Sequence, residues 1–155
     1  MFTARDFLNK APAAGKFREL RQQLKADPDR LRREFLVIAV NSKERVYFRA
    51  TSLRVLSVYA DVLNASGSSD AIGELIIAFK REFPPGKLAN ISAKMQNGRC
   101  PSDGFLAFQF CTLFVKLAPE RAAQSIDAGR EAFNGTELGA ILARTIEANN
   151  GIKNS

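Results

Sequence analysis

Phe35-Leu36-Val37-Ile38-Ala39-Val40-Asn41-Ser42-Lys43-Glu44-Arg45-Val46-Tyr47-Phe48-Arg49-Ala50 is the stretch on which the fold turns. Residues 35–40 are rich in β-branched side chains, 41–44 make a good four-residue turn, and 45–50 alternate polar with apolar. That pattern predicts an antiparallel β-hairpin. The competing reading carries the preceding helix on to about Val40. The hairpin is the favoured one and the only β structure expected in the chain. Period two would then set Arg45, Tyr47 and Arg49 on one face and Val46, Phe48 and Ala50 on the other.

Upstream of the hairpin the signals are helical. Thr3 with Asp6 three residues later forms a capping-box pattern for a short helix to Lys10, and Ala11-Pro12-Ala13-Ala14-Gly15 breaks it. Phe17, Leu20 and Leu24 recur at helical spacing over Lys16 to Lys25, beside a basic row of Arg18, Arg21 and Lys25. Asp27-Pro28 is a helix start, a capping side chain followed by proline at the first helical position.

Downstream, Thr51 or Ser52 is expected to cap a helix to Leu63, ended by Asn64-Ala65-Ser66-Gly67-Ser68. Ser69 caps the next, to Phe83, and Pro84-Pro85-Gly86 stops it. A short helix is expected over Lys87–Gln96, closed by Asn97-Gly98, and a long one from Ser102-Asp103 to Ala118. Another runs from Pro119 to about Phe133, closed by Asn134-Gly135. The last spans Thr136 to about Asn149, with 150–155 fraying. The long helix holds Phe105, Phe108, Phe110 and Phe114 and has few polar positions, so most of its sides must be buried. It reads as the central helix of a bundle or, second, as one that also packs on another subunit. The expected fold is therefore mostly α: one compact domain over 1–155, five to seven helices, and one small hairpin near residues 35–50.

Charge divides the chain. Residues 1–54 hold 13 Lys and Arg against 6 Asp and Glu, a net of +7, whereas residues 55–155 hold 10 of each. The boundary, near residue 51, coincides with the end of the expected β signal. Such an asymmetry points to a polyanionic partner, without pointing to a fold. The chain has no histidine, which excludes imidazole as base, acid or metal ligand. Cys100 and Cys111 are too few for a disulfide framework or a zinc site, and a reducing, cytoplasmic setting is expected. No phosphate-binding loop or dinucleotide fingerprint is present. No export signal and no apolar run of membrane-spanning length stands out. An enzyme, a metal, a cofactor and a membrane are all unexpected on these grounds.

What remains is binding. Arg18, Arg21 and Lys25, then Arg30 and Arg33, then Arg45, Tyr47 and Arg49 on one strand face, with Arg54 one turn into the following helix, make up the candidate site. An aromatic ring between arginines suits a single strand of nucleic acid, since guanidinium groups pair with phosphates and the ring accepts any base. Any one exposed cation is ordinarily just solvated; the collective excess is what carries the expectation. It is a non-enzymatic, sequence-tolerant nucleic-acid-binding protein, with single-stranded RNA first, that self-associates as a coat protein or a small ribonucleoprotein subunit does. The alternative is a helical adaptor or regulator that binds an acidic protein.

Arg45-Val46-Tyr47, as the second strand of a hairpin followed by helices, resembles the coat proteins of rod-shaped plant viruses over about 25 residues. Thr51-Ser52-Leu53-Arg54 at a helix start resembles the small helical subunits of type III CRISPR complexes. Both motifs are too short to carry functional residues across. What they imply is a small helical protein that binds RNA within a repeated assembly.

Overall fold

A computed structural model describes residues 1–10, 15–63 and 69–154. Among them it is all α, with ten helices and no strand, against the five to seven helices and one hairpin expected. In order these are α1 (Ala4–Asn9), α2 (Lys16–Ala26), α3 (Pro28–Val40), α4 (Val46–Val58), α5 (Ala60–Leu63), α6 (Ser69–Glu82), α7 (Pro85–Gln96), α8 (Ser102–Leu117), α9 (Ala123–Phe133) and α10 (Glu137–Asn154). The breaks expected at Ala11–Ala14 and at Asn64–Ser68, and the capping role of the Ser69 side chain, lie outside the described residues.

The β-hairpin near residues 35–50 is overturned, and the competing helical reading of 35–40 is the one realised. Leu31, Phe35, Ile38 and Ala39 are all buried. They fall at i, i+4, i+7 and i+8, the spacing of one helical face. Burying that face outweighs the β preference of Val37, Ile38 and Val40, because strand propensity largely measures fit to a packed surface. Residues 41–45 are still a turn, but between two helices: the Lys43 amide donates to the Asn41 side chain at 3.0 Å. Residues 46–50 open α4, which then runs unbroken through the expected boundary near residue 51. Ser52 does not cap it. Its buried hydroxyl donates to the Phe48 carbonyl at 2.7 Å, inside the helix.

Other local expectations hold in part: the helix expected from Pro119 begins only at Ala123, and the one expected to reach Leu63 breaks at Tyr59. The Thr3–Asp6 capping box is formed in both directions. Pro28 opens α3, although the Asp27 carboxylate accepts from Arg30 Nε at 2.6 Å and caps no backbone amide. Pro85 opens α7 as well, so Pro84-Pro85 marks a start in addition to a stop. Asn97-Gly98 closes α7 by a Schellman motif. The Gly98 and Arg99 amides donate to the Met95 and Lys94 carbonyls, each at 3.0 Å, and Gly98 takes φ +80°. α10 continues to Asn154, past the end expected near Asn149.

α8 is the axis of the molecule. Phe108, Phe110 and Phe114 are buried, and α4, α6, α7, α9 and α10 all pack on this helix. Phe79 of α6 and Phe83 just past its end meet Phe110 at ring-centroid distances of 5.8 and 6.2 Å, in edge-on pairs. Most of its faces are taken by its own chain, as the central-helix reading expects, and the stripe that holds Ser102, Phe105 and Lys116 stays exposed.

α9 approaches α8 closely at Gly129, where any Cβ would run into the Cys111 sulfur. Cys111 is fully buried there, and burial pushes its thiol up to about 12. Cys100 is exposed. A maleimide or iodoacetamide titration at pH 7.5 should therefore modify one thiol in the native protein and two in denaturant. Two fast equivalents in the native protein would contradict the α8–α9 packing.

Candidate nucleic-acid interface

α4 shows solvent a narrow stripe. Tyr47, Thr51, Arg54 and Val58 recur at i, i+4, i+7 and i+11 and are exposed or half-buried. The other sides of α4 are covered by α3, α5 and α8. The first three residues of the stripe are the floor of a groove of about 420 Å³ lined by Phe17 of α2, by Val46, Tyr47, Ala50, Thr51 and Arg54, and by Ser102, Phe105 and Gln109 of α8. That volume lies within the range of small-ligand sites, ~300–1,000 Å³.

Three aromatic rings are substantially exposed among the described residues: Phe17 at 44%, Tyr47 at 58% and Phe105 at 40%. All three line this groove. Arg54 is among them, its guanidinium 5.9 Å from the centre of the Phe17 ring. Arg45, at the N-cap of α4, lies 5.4 Å from the centre of the buried Phe48 ring. Thr51, Ser102 and Gln109 add hydroxyl and amide groups to an otherwise apolar and cationic lining. Carboxylates are absent from it.

Of the cations singled out in the sequence, Arg18, Lys25, Arg33, Arg45 and Arg54 are exposed and make no ion pair among the described residues. Of these only Arg54 lines the groove; Arg45 and Arg18 are next in sequence to the lining residues Val46 and Phe17. Lys25 is two turns further along α2. Arg33 lines a separate depression between α1 and α3, with Thr3, Arg5 and Arg30. Arg30 is tied down there, donating to Asp27, to Glu34 at 2.5 Å and to the Phe2 carbonyl at 2.7 Å. Arg21 pairs with Asp61 at 3.2 Å, and the nearby guanidinium holds the Asp61 carboxyl below the usual range. Lys16 is buried, its ammonium on the Lys10 carbonyl at 2.9 Å and over the Phe7 ring.

Arg49 is the largest departure. It is 3% exposed and donates to both Glu82 oxygens at 2.5 Å and from Nε to the Ala39 carbonyl at 3.0 Å. The strand reading placed it beside Tyr47. On a helix, residues two apart point about 200° from one another, so Tyr47 faces the groove and Arg49 faces the protein. Arg49 therefore leaves the candidate site. Phe17 and Phe105 enter it. Both read in the sequence as core aromatics, and only the pairing of α2 and α8 across α4 sets them at an open edge.

Among the described residues no group of His, Cys, Asp and Glu could hold a metal ion, and no helix is long and apolar enough to cross a membrane. Comparison with family models, curated proteins and solved structures finds no match for this chain.

Proposed function

We propose that this chain is a non-enzymatic, sequence-tolerant protein that binds single-stranded nucleic acid, RNA before DNA, in the groove over α4. The observation that carries the reading is the convergence of the three exposed aromatic rings with Arg54 in one acid-free groove. Rings accept bases of any sequence by stacking, and unpaired guanidinium groups accept phosphates. Exposed Arg45 and Arg18, each next in sequence to a lining residue, are the candidates for two further phosphate contacts. Assembly, on this reading, comes from several copies on one strand.

The test is binding of a fluorescent, random single-stranded oligonucleotide across a salt series. Three phosphate contacts on a single strand give a slope of log K against log salt of about −2. Affinity should then fall by about 16-fold between 50 and 200 mM salt. No binding, or binding flat in salt, sinks the reading. The chain has no Trp and two Tyr, so nucleic acid retained at low salt shows directly as a raised 260/280 nm ratio. A clean protein spectrum together with no oligonucleotide binding would favour the acidic-protein partner instead.

A further inference from the structure

The groove does not stop at Arg54. One turn along each helix from its lining residues, Arg21 of α2 and Ser57 and Val58 of α4 line a second concavity of about 770 Å³. Lys116 of α8 lies there too, two turns beyond Gln109. α10 closes the far wall with Arg144, Thr145 and Asn149. α4 and α8 run in the same direction. Phe105 stands with Tyr47 at one end, and at the other Lys116 Nζ donates to the Ser57 carbonyl at 3.4 Å. From Tyr47 to Val58 and from Phe105 to Lys116 is 11 residues in each case. That is about 16 Å of helix, the rise of about five stacked nucleotides.

We infer that this cleft is a second phosphate-binding site that continues the groove, so that one single strand lies with bases on the aromatic end and phosphates in the cleft. The inference rests on the nucleic-acid reading above. Its basis is separate: three cations from three elements, α2, α8 and α10, meet in one concavity. Two of them belong to the part of the chain with no net charge, where sequence composition gives no reason to look. Arg144 makes no ion pair among the described residues. Asp61 is the one acid in the lining, and Arg21 already neutralises it at 3.2 Å. A bridging phosphate entering here meets Lys116 and Arg144 directly and competes with Asp61 for Arg21.

Two oligonucleotides separate the cleft from the groove. A single-stranded trimer covers only the aromatic end, whereas a 12-mer reaches both. Lys116→Gln/Arg144→Gln should weaken the 12-mer about 10-fold at low salt and reduce its salt slope by about 1.4, two contacts at ~0.7 each. The trimer should bind it as it binds the parent. Asp61→Asn frees Arg21 and should tighten the 12-mer about threefold, an effect that misfolding cannot produce. Parent-like affinity and slope for the 12-mer in both variants overturns the cleft and leaves the groove standing. A parent protein that binds neither oligonucleotide overturns the nucleic-acid reading itself.

Discussion

Arg49→Ala is expected to cost about 3–5 kcal/mol of folding stability, read as a lower midpoint in urea or guanidinium unfolding. For a domain stable by ~5–15 kcal/mol this is a large share of the total. The reason is what the change leaves behind. Glu82 keeps its charge in a site where its side chain is 13% exposed, and it loses both guanidinium donors at once. The Ala39 carbonyl, among the last of α3 and without a partner inside that helix, loses its donor as well. An uncompensated buried charge is much more costly than a missing pair. Arg49→Met/Glu82→Met should therefore cost less than Arg49→Met alone, although it changes more atoms. Additive losses in that double-mutant cycle would show that the ion pair is not the organising contact between α4 and α6.

Tyr47→Ala is expected to weaken single-stranded oligonucleotide binding by about 5- to 150-fold, the ~1–3 kcal/mol of one base stacked on an aromatic ring. The ring is 58% exposed, so its removal should change folding stability by no more than ~0.5 kcal/mol. That separates the site from the scaffold: Arg49 acts on stability, Tyr47 on binding. Tyr47→Phe keeps the ring and should bind within about twofold of the parent, because stacking needs the π face and not the hydroxyl. Fluorescence anisotropy on the three proteins at one salt concentration decides it. A Tyr47→Ala variant that binds like the parent would remove the groove over α4 as the path of the strand, whatever the salt dependence.

The candidate site was partly legible. Sequence pattern makes Tyr47 and Arg54 neighbours in function, but on a strand and the helix after it; they are one face of a single helix, seven residues apart. Period two groups Arg49 with them, and period 3.6 takes it away. The likeness of Arg45-Val46-Tyr47 to a coat-protein strand fails on the same point, since these residues form the cap and first turn of α4. Phe17 and Phe105 could not have been found. Phe17 continues an apolar stripe with Leu20 and Leu24, both fully buried. Phe105 sits in a helix so apolar that no periodicity distinguishes an exposed ring from a buried one.

By itself the sequence determined the helix punctuation and the division of charge. Thr3, Asp27-Pro28 and Asn97-Gly98 act through backbone geometry a few residues away, so no distant contact is needed to read them. The absence of histidine and the concentration of excess charge in residues 1–54 are likewise facts of composition. Tertiary structure alone decided whether residues 35–50 are strand or helix, because their local preferences conflict and the apolar face of Leu31, Phe35 and Ile38 gains more by packing than by pairing. It also decided which arginines are free and which are held. An ion pair such as Arg49–Glu82, 33 residues apart, depends on two helices meeting, and nothing local to either residue announces it.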